Sequence, residues 1–247
     1  MSDDAAAPLR EKPRRDPRRW TPPVGEPQEW RGATLPYRPG SAFFDAAEPI
    51  VKSRRTIMGY DKLYALWQAA QNVARVPGSV AEAGAYRGGS AYFIASALAA
   101  FTGAEVPMHV FDTFHGHPGE AVSEHDTFHG AGHFGTANYN KVADYLSPFT
   151  RLRIHQGDVS TMLPGLTEDV YRLVHIDTNL YKPTLDCLKY FGPRMSLGGV
   201  IVVDDYSAKN CPGVQKAALE YLHDTDLAFA VWDVRTEQLV LAARGRA

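Results

Sequence analysis

Three aspartates that follow two apolar segments are the residues of this chain best suited to chemistry. The apolar run 173–176 is followed by Asp177, and the run 199–203 is followed by Asp204 and Asp205. If both runs are strands of one parallel sheet, their carboxyl ends lie at the same edge of that sheet. Carboxylates crowded there repel one another unless a cation lies among them, and hard oxygen ligands with open positions suit Mg²⁺. We therefore expect these aspartates to bind Mg²⁺ or another divalent cation; the alternative is a carboxylate network held by surrounding N–H groups.

A glycine-rich turn connects an apolar run to a helical segment over residues 80–90. Gly84 allows the backbone to approach a ligand closely, and Gly88 allows a tight entry into the helix. The N-terminus of that helix offers unpaired N–H groups with a partial positive charge. Glu82, before the first glycine, suits a ligand with both a cation and a free carboxylate, such as the methionine moiety of S-adenosylmethionine. The alternative is a strand-to-helix turn that binds no ligand. The candidate cofactor-binding residues of this turn are Glu82, Gly84, Tyr86, Gly88 and Ser90.

Two further carboxylates follow the next two apolar runs. Asp112 comes after the run 108–111, at the position where an acid accepts hydrogen bonds from ribose hydroxyls. Asp158 comes after the run 152–155, where the edge of adenine is expected. Each has an ordinary alternative role, because aspartate also caps helices and stabilises turns. We expect Asp112 and Asp158 to complete the cofactor site.

The elements that must position these residues alternate between strand and helix. A helical pattern over 56–74 ends before Pro77 and Gly78. After this break, the alternation of apolar runs and helical stretches predicts βαβ units and a parallel sheet. The last two strand-like runs are separated by a short polar segment, which indicates a hairpin. We therefore predict an α/β fold with a mainly parallel, seven-stranded sheet and an antiparallel C-terminal hairpin strand. The runs are 80–83, 108–111, 152–155, 173–176, 199–203, 227–232 and 239–243, and the helical stretches are 90–100, 139–146, 183–191 and 213–222.

The first fifty residues differ in composition from the rest of the chain. Eight of the 17 prolines fall before residue 40, among several arginines, and such a segment does not close a hydrophobic core. We expect residues 1–50 to form an irregular arm that is either solvated or packed over an active site or a neighbouring subunit. Residues 51–247 are expected to form the α/β domain.

Composition argues against several classes of partner. The formal net charge of −2 creates no basic field for nucleic acid or for an anionic membrane. Cys187 and Cys211 lie far apart with no C-x-x-C pattern, which is typical of buried thiols in a reducing compartment. No apolar run approaches the ~20 residues that span a bilayer, and no signal peptide is recognisable. We expect a cytoplasmic protein that binds neither nucleic acid nor membrane.

Four strings of this sequence together resemble the macrocin O-methyltransferase (TylF-type) family. They are residues 82–90, 111–118, 177–181 and 198–206, and the likeness extends over residues 55–225. The resemblance implies a Rossmann-like class I methyltransferase fold, S-adenosylmethionine as methyl donor and Mg²⁺ at the three aspartates. It also implies methyl transfer to a sugar hydroxyl of a small glycosylated natural product, as in antibiotic biosynthesis, by a homo-oligomer.

The sequence departs from the family pattern at two positions. Asn179 stands where the family usually has a second acid, so any role of that acid in taking the substrate proton has no counterpart here. His115 replaces an acid and begins a segment, 115–133, with five histidines whose spacing matches no zinc signature. We expect a loop at the active site whose histidines meet water or substrate. One of them, which the sequence does not identify, is a candidate for the general base, because imidazole titrates near working pH.

Three other functions compete with this interpretation. A catechol-type O-methyltransferase also uses strand-end ligands, but it places a lysine shortly after the first metal aspartate, where this chain has Leu180 and only later Lys182. A nicotinamide-dependent oxidoreductase would have no use for Asp204 and Asp205, and the turn lacks the G-x-G-x-x-G spacing. A non-catalytic sensor or assembly subunit would differ from all of these in transferring no methyl group.

Overall fold

The computed structural model describes residues 41–166 and 170–246, which form seven α-helices around one seven-stranded sheet. The strands are β1 (Ser79–Ala83), β2 (Met108–Asp112), β3 (Leu152–Gln156), β4 (Tyr171–Ile176), β5 (Met195–Val203), β6 (Leu227–Val234) and β7 (Gln238–Arg246). The helices are α1 (Ala42–Lys52), α2 (Tyr60–Asn72), α3 (Gly89–Thr102), α4 (Tyr139–Leu146), α5 (Val159–Met162), α6 (Tyr181–Phe191) and α7 (Pro212–Asp224).

The order of the strands places a crevice at the middle of the sheet. The spatial order is β3-β2-β1-β4-β5-β7-β6. The first five strands pair in parallel, while β7 pairs antiparallel with both β5 and β6. The chain winds outward in one direction from β1 and in the other from β4, and ligands of such sheets bind beyond the carboxyl ends of the strands at this reversal. The predicted α/β fold with an antiparallel C-terminal hairpin is confirmed.

Alternating residues of the central strands pack into two separate hydrophobic cores. Val80 and Leu173 face the core formed with α1, α2 and α3, whereas Ala81 and Val174 face the core formed with α6 and α7. Successive side chains of a strand point to opposite faces. Because both faces are covered by helices, these strands are mostly apolar on both faces, which is why they read as apolar runs in the sequence; Glu82 and His175 are buried exceptions.

Helix α1 extends across the boundary that we expected between residues 50 and 51. Ser41 caps it by accepting a hydrogen bond from the Phe44 N–H at 3.2 Å. Phe43 and Ile50 are buried in the core on the α2 and α3 side, so the last part of the expected arm is an ordered helix. The proline- and arginine-rich residues 1–40 lie outside the described residues. The division of the chain into arm and domain stays a prediction.

Two predicted segments differ in length from the observed ones for identifiable reasons. The helix expected from residue 56 begins at Tyr60, after Gly59 as its N-cap. Strand β5 begins four residues before the apolar run 199–203. The sequence did not predict this extension, because residues 195–198 are exposed or half-buried and carry no apolar pattern. Within the described residues, no helix is long and apolar enough to cross a membrane.

Candidate active site

A cavity of about 370 Å³ lies at the carboxyl ends of the five parallel strands. Each of these strands contributes an expected site residue to its wall. Two of the expected residues, Glu82 and Gly88, do not line it. The expected residues that do are Gly84, Tyr86, Ser90, Asp112, Asp158, Asp177, Asp204 and Asp205.

Gly84 is required by the contact between β1 and β4. Its φ is +92°, and an added Cβ would lie 1.9 Å from the carbonyl oxygen of Asp177. The Asp177 N–H donates to the Ala83 carbonyl at 2.8 Å, which holds the two strand ends together. We expected the small size of Gly84 to allow close approach of a ligand. In the structure, the backbone of Asp177 makes this close approach. Gly88, with φ +79°, is the N-cap of α3 and faces Val142 of α4.

Asp112 joins the turn after β1 to the loop after β2. Its Oδ2 accepts a hydrogen bond from the Tyr86 N–H, and its Oδ1 accepts one from the Phe114 N–H, both at 2.7 Å. Burial raises the pKa of Asp112 while these N–H groups oppose the rise. Asp158 caps α5 by accepting from the Ser160 N–H at 3.0 Å. Both carboxylates therefore perform the structural roles that we considered as alternatives, and both also line the cavity.

Glu82 lies behind the cavity, paired with a histidine that sequence reasoning did not single out. Glu82 and His175 are register partners on β1 and β4, and His175 Nδ1 lies 2.8 Å from Glu82 Oε1. Both side chains are fully buried. Burial alone would lower the pKa of His175, but the hydrogen bond to Glu82 and the charges of Glu82, Asp177 and Asp204 raise it. Glu82 does not line the cavity, and its contact with a ligand stays a prediction. The carboxylate instead supports the residue two positions before Asp177.

The aspartates that follow β4 and β5 meet in one place. Ligand atoms of His175, Asp177 and Asp204 all lie within 4.8 Å of one another, which is close enough for a single metal ion. Burial and the charges of Asp204 and Asp205 raise the pKa of Asp177 well above its ordinary value. Asp204 is 3% exposed, and its Oδ1 has no hydrogen-bond partner among the described residues. Crowded carboxylates with an unpartnered buried oxygen fit a hard divalent cation.

Asp205 is held beside this group by two side chains. Its Oδ1 contacts Lys62 Nζ at 2.5 Å, and its Oδ2 accepts from Asn179 Nδ2 at 2.7 Å. Lys62 Nζ also contacts Asp204 Oδ2 at 3.0 Å. Burial would lower the pKa of Lys62, but Asp204 and Asp205 raise it, so the ammonium stays charged. Sequence reasoning missed Lys62, because no local pattern on α2 distinguishes it from a surface lysine.

Three of the five loop histidines, His117, His129 and His133, line the cavity. His129 contacts the segment that follows β5, since its Nε2 lies 3.4 Å from Cys211 Sγ and 3.3 Å from Asn210 Nδ2. Burial, with the charge of His133, lowers its pKa, although Asp205 and Asp126 oppose this.

The other two loop histidines lie apart from the cavity. His115 lies 3.4 Å from Gln156, and the ring of His125 packs on Tyr181. Among the described residues, the side chains close enough to share a metal ion are those at β4 and β5, so the loop histidines do not form a second such group.

Comparison with known proteins places this chain in a family. Residues 46–236 match the model of the macrocin O-methyltransferase (TylF) family. The chain is 29% identical to demethyldecarbamoylnovobiocin O-methyltransferase of Streptomyces niveus over 187 residues, which is 70% of each protein.

Two further matches agree with this assignment. The chain is 29% identical to 8-demethyl-8-(2,3-dimethoxy-alpha-L-rhamnosyl)-tetracenomycin-C 4'-O-methyltransferase of Streptomyces olivaceus, covering 63% of this chain and 64% of that protein. The chain therefore spans somewhat less than two thirds of that relative's length. The solved structure of the O-methyltransferase NovP superposes with a TM-score of 0.69 and 26% identity, covering 78% of this chain and 83% of that one.

Proposed function

We propose that this chain, which belongs to the macrocin O-methyltransferase family, transfers a methyl group from S-adenosylmethionine to a sugar hydroxyl of a glycosylated natural product. The observation that carries the proposal is the single cavity that combines the turn after β1 with three aspartates from β4 and β5. The name of one relative, a 4'-O-methyltransferase of a rhamnosyl-tetracenomycin, supports a glycosylated acceptor over a small aromatic diol.

The methyl donor would lie against the turn after β1. Gly84, Tyr86 and Ser90 line the cavity at this turn, and the N-terminus of α3 adds its partial positive charge. Asp112 and Asp158 stand at the ends of the next strands, where they face the ribose and adenine positions of such sheets. When bound, S-adenosylmethionine supplies an electrophilic methyl group. Asp112 fixes the turn through its two backbone hydrogen bonds, so the donor site is built before the donor arrives.

The acceptor would lie beside the aspartates. Asp177, Asp204 and Asp205 are the residues that would hold a divalent cation. The closeness of Asp177 to Asp204 and the unpartnered Asp204 Oδ1 support this assignment. Asp205 would join them by exchanging its contact with Lys62 for the cation. When bound, such a cation lowers the pKa of an acceptor hydroxyl as a Lewis acid and orients it. The carboxylates contribute by fixing the direction from which the acceptor approaches the donor.

We propose that His129 accepts the proton of the acceptor hydroxyl. Asn179 cannot do so, because an amide does not take up a proton near neutral pH. The lowered pKa of His129 keeps its ring neutral and able to accept a proton. His129 lines the cavity beside Asn210. A chain of contacts connects it to Asp205: His129 Nε2 lies 3.4 Å from Cys211 Sγ, which lies 3.9 Å from Asn179 Nδ2. Asn179 Nδ2 in turn donates to Asp205 Oδ2 at 2.7 Å. The proton taken at Nε2 would then pass to solvent.

The proposal is tested by supplying the purified chain with S-adenosylmethionine and matched acceptors. We expect mass spectrometry to detect a methylated product and S-adenosylhomocysteine with glycosylated aromatic or polyketide acceptors. The same aglycones without sugar, and catechols, serve as controls and should remain unmodified. Methylation of catechols in preference to every glycoside would favour the catechol-type alternative, and no transfer to any acceptor would favour a non-catalytic role.

The oligomeric state and the cellular location of the chain are also part of this proposal. We propose that the chain forms homo-oligomers and works in the cytoplasm, as the family resemblance and the sequence composition imply. Light scattering coupled to size-exclusion chromatography measures the first property. A single-chain mass at working concentration would contradict it.

A further inference from the structure

The ammonium group of Lys62 contacts two of the three aspartates that are proposed to hold a metal ion. Its Nζ lies 3.0 Å from Asp204 Oδ2 and 2.5 Å from Asp205 Oδ1. The Lys62 side chain is 15% exposed, and those of Asp204 and Asp205 are 2% and 18% exposed. Contacts this short between largely buried charges are screened weakly by solvent. They are therefore stronger than an ordinary surface ion pair.

The charges around this lysine do not balance. Asp177, Asp204 and Asp205 bring three carboxylates together, and Lys62 brings one ammonium. The nearby His175 directs its Nδ1 to the Glu82 carboxylate, so it is paired with a fourth acid and not with the three aspartates. Lys62 thus offsets only part of the negative charge of the three aspartates, and a further cation would offset the remainder.

A divalent cation at the unpartnered Asp204 Oδ1 and the Lys62 ammonium at Asp204 Oδ2 would share one carboxylate, and a cation that also used Asp205 Oδ1 would need an oxygen that Lys62 contacts. A cation bound by Asp204 and Asp205 would lie within a few ångströms of Nζ if the lysine kept its present contacts. Like charges at such a distance repel strongly in a partly buried site. The backbone of α2 cannot withdraw, because the neighbouring Leu63 and Leu66 are fully buried. The flexible four-carbon stem of the lysine can swing, and its side chain already lines the cavity.

We propose that Lys62 is a built-in counter-ion of the aspartate site that competes with the divalent cation. In the metal-free protein the ammonium holds Asp204 and Asp205 side by side, and it leaves them when the cation binds. Lys62 is in this sense a positioning residue, which preserves the site before metal arrives and weakens the affinity for metal. The inference rests on the cation site of the proposed function.

The test measures Mn²⁺ binding by electron paramagnetic resonance for the wild type and for Lys62→Met. We expect Lys62→Met to bind Mn²⁺ at least about tenfold more tightly, because one opposing charge is gone. Lys62→Arg keeps the charge and should not tighten binding. Lys182→Met is the matched control, since the exposed Lys182 pairs with Asp186 at 2.7 Å and does not line the cavity. It should bind Mn²⁺ like the wild type.

A second readout covers the case in which the substitution weakens the fold. Three carboxylates without their ammonium repel one another, so Mg²⁺ should raise the melting temperature of Lys62→Met more than that of the wild type. A folded Lys62→Met that binds Mn²⁺ no more tightly than the wild type overturns the inference, as does absence of Mn²⁺ binding by both proteins. Methyl transfer by the wild type, measured separately, shows whether the proposed function survives either result.

Discussion

His175 Nδ1 lies 2.8 Å from Glu82 Oε1, and both side chains are completely buried beneath the cavity. The two residues are register partners on the parallel strands β1 and β4, between which the strand order reverses. A buried pair of this kind links the turn after β1 to the strand that ends at Asp177. The Glu82–His175 pair therefore stabilises both the donor side and the acceptor side of the cavity.

Replacing Glu82 by alanine should destabilise the fold strongly. The substitution leaves His175 without its carboxylate in a fully buried position, and breaking such a pair costs about 3–5 kcal/mol. Glu82→Gln keeps an acceptor for His175 and should lose less. Urea unfolding measures both variants. A Glu82→Ala protein within about 1 kcal/mol of the wild type would show that the pair contributes little.

Gly84 and Gly103 form a matched pair for testing the close approach of β1 and β4. Both have positive φ, +92° and +75°, but a Cβ at Gly84 would collide with Asp177 while nothing lies within 4 Å at Gly103. Gly103→Ala should cost about 1–2 kcal/mol from left-handed backbone strain alone. Gly84→Ala should cost more than about 3 kcal/mol, because the strand ends must separate. Equal melting temperatures for the two variants would contradict this explanation.

His129→Asn should slow methyl transfer through kcat. Loss of a general base typically reduces the rate by about 10²–10⁴-fold. The affinity for S-adenosylhomocysteine, measured by calorimetry, should change little, because His129 does not belong to the turn after β1. His125→Asn is the control, since that ring packs on Tyr181 away from the cavity and its loss should leave kcat nearly unchanged. Comparable kcat values for the two variants would remove His129 from the mechanism.

Acid should destabilise the protein partly through His117. Burial and the charges of His129 and His133 lower the pKa of His117 from 6.5 to about 4, with Asp126 opposing. The unfolded chain therefore binds more protons between these values, so the contribution is complete above pH 6.5 and is lost as the pH falls toward 4. Allowing for partial solvent contact, we expect about 1–2 kcal/mol. Unfolding free energies of the wild type and His117→Asn, compared across this range, should converge at low pH; a constant difference would contradict the assignment.

The arrangement of the aspartates could be predicted from the sequence because it depends only on topology. Once the apolar runs before Asp177 and Asp204 are identified as parallel strands, their carboxyl ends have to meet at one edge. The same reasoning placed Asp112 and Asp158 on the cavity wall. It could not distinguish a ligand contact from a cap, because the same carboxylate accepts backbone N–H groups and lines the cavity.

The partners of the site residues could not be predicted, because they depend on register and on long-range packing. Glu82 faces His175 only when β1 and β4 pair with the observed register, which no single-strand pattern determines. Lys62 precedes Asp204 by 142 residues and reaches it through the packing of α2. For the same reason, the sequence could not say which loop histidine extends to Cys211.

The central claim is that Asp177, Asp204 and Asp205 hold one divalent cation that methyl transfer requires. The most direct test is the initial rate of methyl transfer, with Mg²⁺ and in excess chelator, for the wild type and for Asp204→Ala. We expect the wild type to lose its activity in chelator, and Asp204→Ala to lack metal-stimulated turnover while still binding S-adenosylhomocysteine. Full activity of Asp204→Ala in excess chelator would contradict the claim.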